Sequence, residues 1–384
     1  MWDYLRKNTD RRHPTSIAKM RKDENINAYI GDKETINRLL KDMANIMNLE
    51  DGGSDYKPEA EWRLYFDDFK KFYGDKERYE RDDSDEDDSY IANVMRIKNL
   101  YYNRTFSEKE VDSIIEGIMA TRTLDSKSAQ ELVRKVEDNM TTAFYKRTPR
   151  HICKVQEPEL ADRELLKDNL AIIQKAIDDN VRIQFRFNGY SYEKKLEPVR
   201  EESDELSPYY IVASGGKYYL LAAKEYEGYK PNMSIWRIDL MIDIEIPGRN
   251  DRLHIKGIPR IPKKNVANLP EKWSEDFQLK HLNMSFDKPV LVTLRIKSEK
   301  CEDNPKKRVR PGYTFLHDWF GDSFTYIRTE TKPPYDDIVR VECSPYGMAH
   351  WALQYSELVE VLEPESLRED IKSKIKALNE KYSL

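Results

Sequence analysis

The stretch that opens with Val181-Arg-Ile-Gln-Phe-Arg-Phe187 and closes at Ile246 decides the fold, because it consists of strand signals joined by short turns. In its first segment apolar residues alternate with arginine and glutamine, which is the period of a strand with one buried face. Asn188-Gly189 follows at once and predicts a two-residue type I′ turn. The opening of the stretch therefore predicts a hairpin.

A second hairpin is predicted in Tyr209-Tyr-Ile-Val-Ala-Ser-Gly-Gly-Lys-Tyr-Tyr-Leu-Leu-Ala-Ala223. Both of its faces are apolar, so we expect other parts of the chain to cover it on both sides. A last strand is predicted from Trp236 to Ile246, where every second residue is apolar. Five strands linked by short turns predict a small barrel.

Three motifs in this stretch resemble the WYL domain, a small Sm-like or SH3-like barrel: Ser207-Pro-Tyr209, Gly216-Lys-Tyr-Tyr-Leu220 and Trp236-Arg-Ile-Asp239. The Trp-Tyr-Leu triplet of that family falls on Tyr218-Tyr-Leu220, with tyrosine in place of tryptophan. WYL domains occur mainly in bacterial transcription regulators that carry an N-terminal helix-turn-helix. The resemblance implies a regulator whose barrel senses a ligand, either a nucleotide or a single-stranded nucleic acid.

The 384-residue chain carries a formal net charge of −5, but this charge is unevenly distributed. Residues 51–95 hold fifteen acidic and seven basic side chains, a net charge of −8, which leaves +3 for the rest. A basic binding face is therefore compatible with the acidic total. The three cysteines are far apart, and no apolar run has the length of a signal peptide or a membrane span. We expect a cytoplasmic protein without membrane contact.

Residues 1–106 are predicted to form a winged helix-turn-helix, interrupted by an acidic insertion at about 51–89. One helix follows His13-Pro14 and another begins near Gly31-Asp32, with apolar residues at helical spacing on one side and basic or polar residues on the other. Such a helix suits the major groove of double-stranded DNA, although a solvated helix in a small bundle has the same pattern. The segment also resembles the N-terminal domain of WYL regulators. The residues expected to contact DNA here are Thr15, Ser16, Lys33, Thr35, Asn37, Arg38 and Lys41.

The insertion contains two kinds of sequence. Aromatic residues between Trp62 and Tyr73 recur at spacings of three and four and predict an amphipathic helix, whereas the acidic run 82–88 predicts a solvated, disordered segment. Strand character returns at 94–98 and 100–106, where we expect the two strands of the wing. The basic residues of the wing that are expected near phosphates are Arg96, Lys98 and Arg104.

Residues 107–160 are predicted to form a helical linker, which opens with a capping box made by Ser107 and Glu110. In the WYL regulators that the chain resembles, such a helical pair contributes to dimer contacts, so a homodimer is implied. The predicted WYL domain covers 161–248, beginning with a helix. Residues 249–288, rich in Pro, Asn and Lys, are predicted to be a linker with one short helix near 263–269.

Residues 289–384 show the element order β-α-β-β-α-β followed by a last amphipathic helix, which predicts a ferredoxin-like arrangement. Phe320-Gly321, Trp351 and Val361-Leu-Glu-Pro364 resemble the C-terminal extension domain of WYL regulators. The predicted fold class is therefore α+β and multidomain, with a winged helix-turn-helix, a helical linker, a small β-barrel and a ferredoxin-like C-terminal domain.

Arg237 is the residue through which the barrel is expected to bind an anionic effector, since the resemblance favours a bidentate grip from this position. By sequence alone, Arg237 and Asp239 point the same way from one strand and form a solvent-facing pair, so removing the charge is expected to leave the fold intact. WYL barrels commonly carry further arginines three positions before and after, where Ser234 and Leu240 stand here. The barrel therefore either senses a less charged ligand or is a structural and dimerising unit. The other expected effector-binding residues are Tyr190, Ser207, Tyr209, Tyr218 and Asp239.

No catalytic or metal-binding constellation is visible: the six histidines are isolated, and no glycine-rich phosphate loop follows a strand. We therefore expect neither an enzyme nor a bound cofactor. Two functions stay open. The first is a ligand-responsive, DNA-binding transcriptional regulator, and the second is an accessory protein whose barrel binds nucleic acid or a protein partner without promoter recognition.

Overall fold

The computed structural model describes residues 1–29, 32–50, 57–67, 97–121, 123–147, 163–297, 300–301, 304–308 and 312–382. The chain divides into two compact units, Met1–Glu159 and Leu160–Leu384. Both units contain helices and β-strands, so the predicted mixed α and β class is confirmed.

The first unit opens with four helices: α1 (Trp2–Asn8), α2 (Ile17–Met20), α3 (Glu24–Tyr29) and α4 (Lys33–Asn48). Ser16 caps α2 and Asp32 caps α4, each accepting a hydrogen bond from a backbone N–H of the first turn. The long helix α4 buries Ile36, Leu40 and Ala44 along one side. This apolar side anchors α4 to the core of the unit.

A small sheet packs against the same core. After a 3₁₀ turn (Glu59–Glu61), β1 (Leu64–Tyr65) pairs antiparallel with β2 (Tyr101–Tyr102), and Thr15 forms an antiparallel bridge with Leu100. Leu64, Phe66 and Leu100 join the cluster that contains the buried side of α4. The two-stranded sheet and the bridge therefore join three segments that lie far apart in the chain.

The prediction of a helix from Trp62 onward is wrong for the residues that the structure describes. Trp62, Leu64 and Phe66 are all buried, so the segment alternates with the period of a strand. The first expected wing strand, 94–98, lies outside the described residues as far as residue 96. The second, 100–106, contributes only the two residues of β2. The acidic run 82–88 also lies outside the described residues.

A helical pair completes the first unit: α5 (Glu108–Ala120) and α6 (Ser126–Met140). The predicted capping box is present, since the Ser107 hydroxyl accepts from the Glu110 N–H while the Glu110 carboxylate accepts from the Ser107 N–H. The pair is held by its own apolar cluster, which contains Val111, Ile115, Val133 and Val136.

The second unit begins with α7 (Arg163–Asp179) and a six-stranded antiparallel half-barrel. Its strands are β3 (Ile183–Tyr190), β4 (Leu196–Pro198), β5 (Asp204–Ser214), β6 (Lys217–Tyr226), β7 (Tyr229–Arg237) and β8 (Met241–Glu245). The order is β4-β3-β5-β6-β7, and β8 pairs with β3. Ile173 and Ala176 of α7 pack on Ile183, Phe185 and Leu220, which closes one side of the half-barrel.

The predicted hairpin of β5 and β6 is confirmed. Ser214 pairs with Lys217 across Gly215-Gly216, and both glycines have the positive φ that a type I′ turn requires. Both faces are covered, as expected. Leu220 lies in the cluster beneath α7, and its neighbour Leu221 packs in a second cluster with residues from 269–284.

Two other strand predictions are wrong in detail. Asn188-Gly189 is not a turn, because β3 continues through both residues and pairs with β4; the chain turns at 191–195 instead. The strand predicted from Trp236 to Ile246 is divided into the end of β7, a 3₁₀ turn (Ile238–Leu240) and β8.

The segment 247–289 is packed on the half-barrel. It contains 3₁₀ turns at Asp251–Leu253, Lys263–Asn265 and Leu282–Met284 and the short helix α8 (Phe277–Lys280). Arg260 donates to the carbonyl of Pro208 at 2.7 Å, and Met233 N–H donates to the carbonyl of Ala267 at 2.9 Å. The short helix predicted near 263–269 is present only as the 3₁₀ turn Lys263–Asn265, and the segment forms part of the layer that covers the half-barrel.

The C-terminal part contains β9 (Val290–Ile296), α9 (Thr314–Phe320), β12 (Thr325–Thr329), β13 (Asp337–Cys343), α10 (Pro345–Gln354), β14 (Val359–Glu363) and α11 (Glu365–Tyr382). The sheet order is β12-β13-β9-β14, with antiparallel neighbours, and a separate hairpin pairs β10 (Lys300–Cys301) with β11 (Asn304–Arg308). Trp351 of α10, only 1% exposed, lies in the core between sheet and helices.

Candidate nucleic-acid interface and barrel site

The exposed side of α4 carries the clearest candidate for contact with DNA. Lys33 and Arg38 are exposed, while Ile36 and Leu40 are fully buried. Two acidic residues, Glu34 and Asp42, are exposed on the same helix, so its solvent side is mixed in charge. Lys33 lies in the first turn of α4 and Arg38 five residues further on, so both cations are accessible but they do not share one side of the helix.

The first turn of α4 is tightly organised around Asp32. The backbone N–H and the hydroxyl of Thr35 donate to its carboxylate at 2.7 and 2.8 Å, and these bonds lower the pKa of Asp32. The charge of Arg21, an exposed residue at the end of α2, contributes to the same shift. The sequence analysis missed Arg21 because only the packing of α2 brings it near the start of α4.

Asn37 and Lys41 are less available than the sequence pattern suggested, since both are partly buried. Burial lowers the pKa of Lys41, because the charged ammonium loses hydration there. The predicted contact set on α4 therefore separates into the exposed Lys33 and Arg38 and the partly enclosed Thr35, Asn37 and Lys41.

The remaining residues predicted to contact DNA have varied positions. Thr15 is buried and pairs through its backbone with Leu100, and Ser16 caps α2. Lys98 is exposed, whereas Arg104 points inward and donates to the carbonyls of Thr9 and Thr141 at 3.0 and 3.4 Å. Burial lowers the pKa of Arg104. Arg96 lies outside the described residues.

In the barrel, Arg237 and Asp239 form a bidentate ion pair, with Nε–Oδ1 and Nη2–Oδ2 distances of 3.1 and 2.6 Å. The pair is only partly open to solvent, since the Arg237 side chain is 30% exposed and that of Asp239 is 1% exposed. Burial acts to lower the pKa of Arg237, but the hydrogen bonds and charge of Asp239 outweigh it and raise the pKa. The expectation of a solvent-facing pair is thus wrong for Asp239, which the 3₁₀ turn buries.

The other predicted effector residues do not form one pocket wall. Ser207 and Tyr209 are buried and hold the covering segment. The Ser207 hydroxyl accepts from Ile261 N–H at 3.0 Å, and the Tyr209 hydroxyl donates to the Ile261 carbonyl at 2.7 Å. Tyr218 packs partly in the cluster beneath α7. Only Tyr190 is well exposed, at 52%, and it lies within electrostatic range of Arg237.

Other arginines of the half-barrel are also paired with carboxylates. Arg182 contacts Glu205 and Glu225, each at 2.9 Å, and Arg186 contacts Asp243. The carboxylate of Asp204, fully buried, contacts both Arg200 and Lys224. The sequence analysis missed this last network, because its members lie on a loop and two strands that only the fold brings together.

Among the described residues, no group of three or more His, Cys, Asp or Glu side chains is arranged to hold a metal ion. No helix within the described ranges is long and apolar enough to cross a membrane.

Comparison with known proteins identifies the C-terminal domain. The family model of the WCX domain matches residues 288–378, so the chain carries this WYL-related domain, and the resemblance to the C-terminal extension of WYL regulators is confirmed. No curated protein matches the chain.

Two solved structures show distant likeness. Proteasome accessory factor B/C (PafBC) of Arthrobacter aurescens is 17% identical over 75% of this chain and 39% of that chain, with a TM-score of 0.24. A CRISPR Cas-related protein is 14% identical over 96% of this chain and 93% of that chain, with a TM-score of 0.30. The chain thus spans 39% of the length of the PafBC structure, and neither likeness is close enough to support an argument about function.

Proposed function

We propose that the chain is a DNA-binding transcriptional regulator in which α4 reads double-stranded DNA and the half-barrel with its WCX domain forms the regulatory module. The observation that carries the proposal is the arrangement around α4. Thr15, between α1 and α2, forms a strand bridge; the helices α2, α3 and α4 follow, and then the paired strands β1 and β2. This is the element order of a winged helix. In that fold the last helix before the strands enters the major groove.

The WCX domain supports the second half of the proposal, because it is WYL-related and follows the half-barrel and its covering segment 247–289 in the chain. We take its β12-β13-β9-β14 order to be the ferredoxin-like arrangement. Arg237 and the nearby exposed Tyr190 remain the proposed effector contacts, and a homodimer remains the proposed assembly. An anionic effector at this place would compete with Asp239 for the guanidinium.

The test uses duplex DNA selected by the full-length protein from a random library. Replacing Lys33 and Arg38 by alanine should weaken binding of the selected duplex by tenfold or more and reduce its salt slope by roughly one unit per lost phosphate contact. The control is Lys127→Ala/Arg134→Ala, which removes the same charge from exposed positions on α6.

The outcomes separate the two functions. Equal affinity of the Lys33/Arg38 variant and the control, with both folded by circular dichroism, would remove α4 from the interface. Failure of the wild-type protein to select any duplex would favour the accessory protein, whose barrel binds a partner without promoter recognition.

A further inference from the structure

The sheet of the first unit carries a groove that the proposed DNA contact does not use. It has a volume of about 1030 Å³ and lies over β1 and β2 beside the loop that follows α1. The described residues that line it include two arginines, two tyrosines and two asparagines: Arg11, Arg12, Pro14, Ala60, Tyr65, Asp67, Asn99, Tyr101 and Asn103.

The groove faces a different surface from the exposed side of α4. Leu64, Phe66 and Leu100 project into the core that also contains the buried side of α4. Because neighbouring residues of a strand point to opposite faces, Tyr65 and Tyr101 lie on the outer face of the sheet. A ligand in the groove and a duplex on α4 would therefore occupy separate surfaces.

The two tyrosines form an aromatic floor. Tyr65 and Tyr101 are directly opposite each other in the pairing of β1 and β2, and their ring centroids are 5.0 Å apart with planes inclined by 33°. Both rings are partly exposed. Such a cross-strand pair on the outer face of a sheet offers the flat apolar surface on which nucleobases stack.

The two arginines supply the positive charge. Arg11 and Arg12 are both exposed, and neither guanidinium has a hydrogen bond or ion pair with any part of the chain that the structure describes. The nearest carboxylate in sequence, that of Asp10, is instead occupied by His13 and by the backbone N–H of residues 12 and 13. The arginines differ in this respect from Arg182, Arg186, Arg200 and Arg237, each of which is paired.

The extent of the groove limits the size of the ligand. Among the described residues that line it, Asp67 is the single acidic one, and its carboxylate accepts from Asn99 at 2.7 Å. An adjoining cavity of about 610 Å³ shares Arg11 and Arg12, but the rest of its charged lining is mixed, with Asp10, Glu108 and Glu110 beside Arg104 and Lys109. The basic and aromatic part is therefore short.

We propose that this groove binds nucleotide units, with one or two unpaired bases stacked on Tyr65 and Tyr101 and their phosphates held by Arg11 and Arg12. The site is distinct from α4 and from the barrel. The same chemistry is offered by a single-stranded nucleic acid and by a free nucleotide, which the experiment distinguishes.

The experiment measures fluorescence anisotropy of the full-length protein with labelled dT8, labelled mononucleotide and the selected duplex. Wild type should bind dT8 with a salt-dependent affinity. Arg11→Ala/Arg12→Ala should weaken this binding at least tenfold and reduce the salt slope by roughly 1.4, the value for two phosphates of a single strand. Lys127→Ala/Arg134→Ala, with equal loss of charge, should bind as wild type does.

Tyr101→Thr separates stacking from charge. It keeps a strand-forming residue in β2 and should weaken dT8 binding roughly tenfold with an unchanged salt slope, because a stacked base is lost but no phosphate contact is. Equal affinity for mononucleotide and dT8 would assign a free nucleotide, and preference for dT8 would assign a single strand.

Failure of folded wild type to bind dT8 or mononucleotide would overturn the proposal, as would identical binding by the Arg11/Arg12 variant and the charge-matched control. Duplex binding reports on α4 alone, so it should survive in the Arg11/Arg12 variant. Loss of duplex binding together with dT8 binding would show that the two surfaces are not separate.

Discussion

Replacing Arg237 by alanine should destabilise the second unit, in contrast to the neutral effect expected from the alternating strand pattern. Arg237 donates two hydrogen bonds to Asp239, and the carboxylate of Asp239 is almost completely buried. Truncation of the arginine therefore leaves a buried carboxylate without its charged partner. The structure gives no second cation in contact with Asp239 among the described residues.

The magnitude follows from the burial of the two partners. Removing one member of a buried ion pair costs several kcal/mol, because the remaining charge stays desolvated. The Arg237 side chain is 30% exposed, so water can partly replace it, and we expect a loss of about 3 kcal/mol. In a folding unit of this size, that loss corresponds to a decrease in Tm of roughly 6–12 °C.

The assay is thermal unfolding of the full-length protein followed by calorimetry, which resolves the transition of the second unit. Arg237→Met/Asp239→Asn is the informative control, since it removes both charges and keeps most of the buried volume. We expect it to recover most of the lost stability. A Tm for Arg237→Ala within two degrees of wild type would refute the reasoning, because it would mean that Asp239 is solvated in the folded protein.

Two further predictions concern the junction between α8 and the WCX domain. Burial lowers the pKa of His281, whose Nδ1 donates to the Ser285 carbonyl at 2.7 Å. The unfolded chain therefore binds a proton at this residue more readily than the folded chain does. The free energy of unfolding should fall as the pH drops below about 6.5, by at most about 1.4 kcal/mol per pH unit. Urea titrations between pH 7 and 5 should show this dependence in wild type and lose it in His281→Gln; an unchanged dependence in the variant would exclude His281 as its source. Gly347→Ala should cost roughly 1–3 kcal/mol, since its Cβ would lie 2.8 Å from the Leu282 carbonyl oxygen, and a normal urea midpoint would contradict that close packing.

The two glycine-containing turns of the half-barrel show where sequence reasoning succeeds and where it stops. Gly215-Gly216 is predicted correctly because the turn geometry is local and the flanking residues pair symmetrically across it. Asn188-Gly189 has an equally strong turn signal, but both residues pair with β4. The Val199 side chain also approaches Gly189 so closely that a Cβ added to the glycine would lie 3.3 Å from it. Non-local pairing therefore overrides a local preference.

The sheet of the first unit was beyond prediction for a related reason. β1 and β2 have two residues each, which is too short for a periodic pattern, and their pairing joins Leu64, inside the predicted insertion, with Tyr102, which follows it. The apolar side of α4, in contrast, follows directly from helical spacing. The groove that contains Arg11 and Tyr101 could not be found from the sequence, since it exists only through that long-range pairing.

The alternating pattern places arginines on the polar faces of strands but cannot say which carboxylate each one contacts. That difference decides how an effector could act at Arg237. Asp239 already occupies the guanidinium in bidentate fashion, so an incoming anion gains only the difference between its own contacts and those it displaces. The displaced carboxylate sits in the 3₁₀ turn between β7 and β8, where it cannot remain buried and unpaired at low cost. An anion that displaces Asp239 would therefore require this turn to move and would be coupled to the position of β8, whereas an anion bound by the Nη1 donors, which Asp239 does not use, would leave the turn in place.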